Sequence, residues 1–584
     1  MGNKKQDYLV LEKIIGLGRE RENILSLPPE KAIDRILSFK QPAALVNSIP
    51  EEDLYFLIND IGPDDALPLL SLASYKQLDF IFDLGIWQKD KINFNSVTRW
   101  FDLMLKADKN RFVRWLINEK SDLLEYYLYK NIEVRIREHD QDPSDFDEGF
   151  FTFDNVIYIR ILDDVKELSG ISEKQDISSD ITGSRTKETV HTLLEAIASE
   201  DYISCHNIIF ESINLIPAES EEEEYRLKNL RLSEKGFLPF EEAIGIYQPL
   251  SQGQIEKIGE KIKKAVFSGD QYMPVPLSPI KMIGKGSIFS DALKIIEKED
   301  VLMEIQEEFV SLCNQIAVAD QKHVKSREDL KPIVRKACGY TCIGMEKFTG
   351  KSSGVKNAAK LLIKYPISHI FRVGFGCALE LKWKAQKWIK ESWFANQKYS
   401  LNFWDEEWLG VLGGLLIKRP LFFDNYKTGR LYREFESTAD IKNTERELNK
   451  ILTMDKLLSL ADFNIKSLPL PSILLTYKNL ILTLWAKDYL GLDKDLNPIN
   501  LADFKIFYRS LWKPQKAKQR KIAESMKTSF LDFMAKSTGL KAHEISQQAV
   551  EIFKNLFNDV ESEYGKVLAK DLNPKFVRLF LLAK

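Results

Sequence analysis

Three short stretches near the start of the chain constrain its fold more than any other feature: IPEEDLYFLI at 49–58, GPDDALPLLS at 62–71 and ASYKQLDFIF at 73–82. Each opens on Pro or Ser (Pro50, Pro63, Ser74), passes through polar residues, and turns apolar at Leu54, Leu67 and Leu78. Proline suits a first helical turn, serine an N-cap, and acids the positive end of a helix dipole. The openings lie 13 and 11 residues apart, which leaves room for one short helix and a tight turn in each unit. Similar openings follow near Ser96, Asp108 and Ser121. Helices of two or three turns are marginal alone and must stack on their neighbours. The spacing therefore predicts a superhelix of short repeats, α-solenoid-like, over residues 1–135. Trp87, Trp100, Phe101 and Trp115 fall on these helices or their junctions and read as wedges between them.

Beyond the repeats, EHDQDPSDFDEG (138–149) is an acidic connector, and FFTFDNVIYIRIL (150–162) has the β-branched and aromatic content of a hairpin. Helices return after about residue 186. ESEEEEYRLKNLRLSEKG (219–236) places acids first and basic residues later, as a helix dipole prefers, and reads as a solvated helix. A short helix is expected after Pro239, followed by a Pro- and Gly-rich linker at 268–287. Helical pattern then continues near 289–320, 366–395, 405–417, 437–461, 472–490 and 521–536. The expected fold is all-α. It divides into the superhelix at 1–135, a connector with hairpin and helices at 136–267, the linker, and a larger irregular helical C-terminal domain at 288–584.

At 584 residues the chain is too long for one ordinary core. A hydrophobic share of 44%, a charged share of 29% and a net charge of -3 describe a globular protein without the basic footprint of a dedicated nucleic-acid binder. Five scattered cysteines (205, 313, 338, 342, 377) fit a reducing compartment better than a disulfide framework. The N-terminus lacks the apolar core of a secretory signal, and the most membrane-like stretch, 468–486, carries Lys478 at its centre. A cytoplasmic protein without a transmembrane segment is the expectation.

Motifs of known chemistry are each incomplete. GMEKFTGKSSG (344–354) ends like a phosphate-binding loop, but five residues separate Gly344 from Gly350 where four are needed, and no strand precedes it. Gly350 reads as a helix C-cap instead. FRVGFGCALELKW (371–383) has Leu379 where a dinucleotide fingerprint wants Gly or Ala. Its Gly374 and Gly376, like Gly410, Gly413 and Gly414, suit close helix approach. Cys338 and Cys342 share a helical face without a second ligand pair, so no zinc site is expected. A weak calcium alternative exists at Asp493, Asp495 and Asn497, but Pro498 and Phe504 stand where the loop needs Gly and Glu. An Asx turn with Asn500 capping the next helix is the competing reading. No metal or cofactor is expected.

Two charged features remain. KPQKAKQRK (513–521) holds five basic residues and no acid, which leaves weak contact with an acidic surface open beside a solvated helix start. Arg372, Arg419 and Arg433 lie in apolar or aromatic surroundings (IFRVG, IKRPLFF, LYREFES). Guanidinium groups there need carboxylates, carbonyls or a ligand anion. Glu434, Glu436 or Asp440 would make them structural, and an anion-binding pocket is the alternative.

LASYKQLDFIFDLGIWQKDKI (72–92), EEEEYRLKNLRLSEKGFLPFEEAIGIY (221–247), FRVGFG (371–376) and REFESTADI (433–441) together resemble an uncharacterised bacterial family, a large helical domain of unknown function. The resemblance covers most of the chain from about residue 25 and implies an all-helical cytoplasmic protein with no catalytic residue to carry over. PEEDLYFLINDIGPDDALPLL (50–70) is similar in style to the N-terminal superhelix of MgtE-type magnesium transporters and to flagellar rotor switch proteins. That likeness implies only a helical interaction module. The expected function is thus a non-enzymatic helical scaffold or adaptor, with the superhelix at 28–135 presenting the surface for a protein partner. The alternative is an enzyme or sensor with its pocket near the three arginines.

Overall fold

Helices dominate the structure, a computed structural model that describes residues 16–88, 90–138, 141–162, 179–261, 275–350, 354–397, 399–461, 463, 475–493, 495–513 and 519–583. The chain forms two compact units. One comprises Met1–Gln248, Ile255–Cys338 and Ser353–His369, the other Pro249–Gln254, Gly339–Ser352 and Ile370–Lys584.

In the first unit, helices Pro29–Leu37, Pro42–Asn47, Glu51–Ile61, Leu67–Leu72, Tyr75–Gly85, Phe94–Glu119 and Ser121–Asn131 follow in series, each packed on the next or the next but one. Local signals set their starts. Pro50 stands at the N-cap of Glu51–Ile61. Ser74 closes a capping box with Gln77, and the Gln77 amide donates onward to the carbonyls of Val46 and Ile49, both at 2.8 Å. The cap of one repeat is thereby tied to the turn of an earlier one. Near Ser96 the N-cap is Asn93, which accepts from the Ser96 N–H at 3.0 Å. Near Asp108 the chain kinks inside the long helix, and the Asp108 carboxylate accepts from Arg111 N at 3.1 Å. Pro63 does not open a helix. Residues 63–66 form a turn and the helix starts at Leu67, with Pro68 in its first turn. The second proline of GPDDALPLL is the one that meets the helix's spare N–H positions.

Leu54 and Leu78 are fully buried, and the aromatic wedges close around Phe82, whose ring centroid lies 4.9 Å from that of Trp115. The hairpin at 150–162 is present and gains a third strand. Ile157–Ile161 pairs antiparallel with Phe150–Thr152 on one side and Ile132–Ile136 on the other. Its turn is pinned by Asp154, whose carboxylate accepts from the N–H groups of Val156 and Ile157, each at 2.8 Å.

The acid-rich helix, Pro217–Ser233, is not solvated all round. Glu224 and Leu232 are buried, Arg231 grips Asp83 with two hydrogen bonds of 2.7 and 2.8 Å, and Glu221 accepts from Ile92 N. Its partners lie over a hundred residues earlier, so dipole logic within the segment carries no sign of them. After the residues outside the description at 262–274, Leu277–Lys281 forms a short helix whose first N–H groups are capped by Asp53.

The second unit is built on helices that approach closely through glycine. A side chain at Gly374 would strike the Tyr340 carbonyl, and one at Gly344 the Ile370 carbonyl. Gly374 of FRVGFG therefore serves helix contact, whereas a side chain at Gly376 would meet Pro249, outside any helix. Helices Asp405–Leu416, Thr438–Ala461, Tyr477–Leu490, Leu501–Ser510, Glu524–Thr538 and Ala542–Tyr564 complete it. Trp485 is buried at its core against Phe507 and Phe530. A two-stranded ribbon, Phe422–Phe423 with Tyr432–Arg433, is its one addition to the expected helices among the described strands. Among the described residues, no helix is long and apolar enough to cross a membrane.

Candidate functional site

The three arginine-bearing segments converge on one side chain that the sequence did not single out, Tyr340. Its fully buried ring meets those of Phe371 and Phe375 edge-on at 5.5 and 5.1 Å. Its hydroxyl lies 3.2 Å from the Glu434 carboxylate and 3.5 Å from the Pro420 carbonyl. Phe371, Pro420 and Glu434 are the chain neighbours of Arg372, Arg419 and Arg433. Only a bare Tyr in a helical run marked it, and such a residue has no distinctive sequence signal.

Arg433 has the best-defined surroundings. Its guanidinium donates to Asp440 twice, at 2.8 and 2.9 Å, to Asp424 at 3.0 Å and to the Glu434 carbonyl at 3.0 Å, over the face of Phe422. Burial works against its charge, but the two carboxylates outweigh that cost and raise its pKa. Asp424 also accepts from Thr428 N at 2.7 Å and Thr428 Oγ1 at 2.8 Å, and the resulting hydrogen bonds hold its pKa low against burial. Arg433 thus locks the ribbon to the start of helix Thr438–Ala461. Arg372 and Arg419 are half-buried, and burial lowers the pKa of Arg372.

Arg433→Gln should strand two nearly buried carboxylates and cost about 3 kcal/mol of stability, as breaking a buried pair does. Denaturant unfolding checks this. A variant as stable as the parent would show that Arg433 is held for another purpose, such as an anion.

A second charged centre surrounds Lys478, the cation in the middle of the apolar stretch. It lies in the first turn of helix Tyr477–Leu490, behind a Thr476–Asn479 capping box, and its ammonium reaches Asp405 at 2.5 Å and Asp559 at 2.8 Å. Burial opposes the charge, yet the two acids raise its pKa, so the amine stays protonated and is no nucleophile. Beside it, Trp408 and Tyr477 stack 4.6 Å apart and nearly parallel. Asp405 adopts φ 63° and ψ 168°, a region that costs a non-glycine residue about 1–3 kcal/mol, which the ion pair and stack must offset.

The other sequence candidates are spread apart. In the calcium-like loop, the Lys487 ammonium donates to the Asp495 carbonyl at 3.0 Å and to its carboxylate, and Asn497 donates to Asp495 as well. A lysine thus already neutralises the central ligand, and Asn500 caps the next helix through Ala502 N at 3.0 Å. Asp493 is exposed. Among the described residues there is no group of three or more His, Cys, Asp or Glu placed to hold a metal ion. All five cysteines are buried, and desolvation pushes the thiols of Cys205 (to about 12), Cys313 and Cys377 up, away from a reactive thiolate.

Gly350 ends helix Arg327–Thr349 with φ 65°, and Lys351, Ser352 and Ser353 lie outside the described residues. So do 514–518 of the basic run. Its described ends are engaged: Lys513 with Glu524, Lys521 with Glu561, and Arg520 over Trp512.

The first unit carries an exposed apolar face around the hairpin tip. Ile136, Phe153, Val156, Tyr202 and Ile203 are all exposed, Ile203 to 73%. Ile136 pairs with Ile157, and Ile157 lines one notch with Phe153, Tyr202, Cys205, His206 and Ile209. The Tyr202 hydroxyl donates to Asp154 at 2.5 Å, which fixes the notch to the turn. By contrast, Leu37 and Tyr75 are the exposed large apolar residues between 28 and 135. The sequence shows the hairpin, but not which of its faces lacks a cover.

No curated protein and no solved structure matches the chain. The likeness to transporter and rotor proteins accordingly has no counterpart among the matches. The profile of a family of unknown function, DUF6178, matches residues 13–583, nearly the whole chain, and the protein belongs to that family.

Proposed function

We propose that the protein is a helical scaffold that binds a protein partner through the apolar face at the hairpin tip of its first unit. The observation that carries this reading is the exposure of Ile136, Phe153, Val156, Tyr202 and Ile203 on the elements that meet at a turn braced by Asp154. Exposed apolar groups gathered near a notch are a usual form of a contact site. The binding surface of this proposal lies beyond the stacked helices of 28–135, whose outer faces are mostly polar. The rival reading, an anion pocket at Arg372, Arg419 and Arg433 serving an enzyme or sensor, draws no support from Arg433, whose donors are held by carboxylates.

The test is affinity purification from the native cell with cross-linking, comparing the parent with a Val156→Asp/Ile203→Asp double variant. Both residues are exposed, so the variant should melt within a degree or two of the parent. Cross-links from this face and the partner they identify should be lost. A parent with no partner at this face, or a variant retaining all of them, would sink the proposal.

A further inference from the structure

Strand Ile132–Ile136 forms one edge of the three-stranded sheet in the first unit, with Phe150–Thr152 at the other edge. The register and two flanking bonds decide which of its main-chain groups face outward. Ile132 lies opposite Ile161 and Ile136 opposite Ile157. The Leu162 N–H donates to the Asn131 carbonyl at 2.8 Å, and the Arg137 N–H to the Val156 carbonyl at 2.9 Å. Antiparallel ladders alternate, so Glu133 and Arg135 turn their main-chain groups to the sheet, while Ile132, Val134 and Ile136 turn theirs away from it. The Ile132 N–H donates to the Leu128 carbonyl at the end of helix Ser121–Asn131. Among the described residues, the N–H and C=O groups of Val134 and Ile136 meet no partner. Exposure grows along the strand, from buried Ile132 to exposed Arg135 and Ile136. An open edge of this kind is a template for another strand.

We propose that Ile132–Ile136 pairs antiparallel with the same strand of a second copy of this chain, continuing the sheet across a twofold axis at Val134. The two Val134 residues then exchange both of their bonds, and each Ile136 N–H donates to the Ile132 carbonyl of the other copy. The charged residues select this register. With the axis at Val134, each Glu133 stands directly opposite Arg135 of the second copy, in the closely spaced pairs where side chains meet. Sliding the pairing to the next matched position sets Arg135 against Arg135 in one direction and Glu133 against Glu133 in the other. Like charges directly opposite are destabilising. Within one chain Glu133 already accepts from Arg135 and Arg160, each at 3.1 Å, and Arg135 reaches Asp147 at 3.1 Å. Pairing therefore extends a row of alternating charges that each copy carries. On the other face it covers the exposed Ile136 side chain with Ile132 of the second copy. A strand pair this short covers less than the roughly 1,600 Å² of a standard interface, so the dimer is weak, with a Kd on the order of 10–100 µM. The inference does not rest on the scaffold reading: Ile136 belongs to both surfaces, but this join is made by main chain, which Val156→Asp/Ile203→Asp leaves intact.

Sedimentation velocity of the full-length protein from about 1 to about 200 µM should show monomer passing to dimer. Residue-resolved hydrogen exchange at both ends of that range locates the contact. The amides of Val134 and Ile136 should exchange freely in the monomer and slow several-fold in the dimer, while those of Glu133 and Arg135 stay protected throughout. Val134→Pro removes an N–H that faces away from the sheet, so the chain keeps its own ladder and the dimer should weaken at least tenfold. Arg135→Glu keeps the main chain and turns both facing pairs into like charges, which should weaken the dimer about tenfold. A monomer at every concentration overturns the proposal, as does a dimer unchanged in Val134→Pro or one whose added protection lies away from Val134 and Ile136. A dimer unchanged in Arg135→Glu overturns the register. Protection of these amides gained only on adding lysate from the native cell would assign the edge to a different protein and overturn self-pairing.

Discussion

Leu54→Asp is expected to unfold the first unit. Leu54 is completely buried in helix Glu51–Ile61, in the stack of short helices that runs from Pro29 to Asn131. An aspartate there must be neutralised at pH 7, which costs about 4 kcal/mol for a shift of some three pH units. Loss of the leucine's burial adds about 2 kcal/mol. The sum of about 6 kcal/mol is comparable to the whole stability of an ordinary domain. Leu78→Asp, one repeat further on, should act the same way, since Leu78 is also buried and its helix is fastened to earlier turns through Gln77. Hydrogen exchange read peptide by peptide locates the loss, with the second unit as the internal reference. Protection of helices 51–61 and 75–85 unchanged in either variant would mean that these helices do not depend on their stacking.

What the sequence disclosed and withheld follows the range of the interactions. Caps act within three or four residues, so the box at Ser74, the cap behind Ser96 and the kink at Asp108 are all written locally. Pro63 misled because a proline preceding two acids fits a turn as well as a first helical turn, and the competing Pro68 stood five residues on. Charged groups were legible only when a partner was close. Asp440 is seven residues from Arg433 and could be named beside it. Asp424, nine residues before it across a ribbon, could not. Lys478 was visible as an anomaly in an apolar stretch, while its partners Asp405 and Asp559 lie some 70 to 80 residues away on either side. The hairpin at 150–162 was legible as strand, yet its third strand, Ile132–Ile136, and the notch it shares with helix Tyr202–Asn214 depend on residues outside it. Family membership adds no chemistry to these residues, so each must be tested by its own physics.

Glu52 is the sharpest case, and it yields the second large effect. In PEEDLYF the acids at 51–53 suit the start of a helix, where the dipole welcomes a charged carboxylate. In the folded protein Glu52 and Asp53 are instead almost wholly shut away from water. Glu52 accepts from the Asn314 amide at 3.1 Å, Lys235 turns its ammonium to Glu51 at 3.0 Å, and Asp53 caps Leu277 and Ser278. Burial pushes the Glu52 pKa from 4.5 up to about 8, only partly relieved by Lys235. It also raises Asp53 despite the hydrogen bonds that favour its charge. The folded chain therefore keeps the Glu52 proton up to about pH 8, whereas the unfolded chain releases it near 4.5. Between those values folding takes up a proton, so each rise of one pH unit removes up to about 1.4 kcal/mol of stability. The contribution is fully present below about pH 4.5 and is lost as the pH climbs through 8, a total of about 5 kcal/mol. Glu52→Gln keeps the acceptor for Asn314 without the titration, so it should flatten this decline and leave the variant more stable than the parent at pH 8–9. Denaturant-dependent hydrogen exchange of helix 51–61, measured from pH 5 to 9 with correction for intrinsic exchange rates, reads the slope directly. If parent and Glu52→Gln fall with the same slope, the buried carboxyl is not the group that takes up the proton.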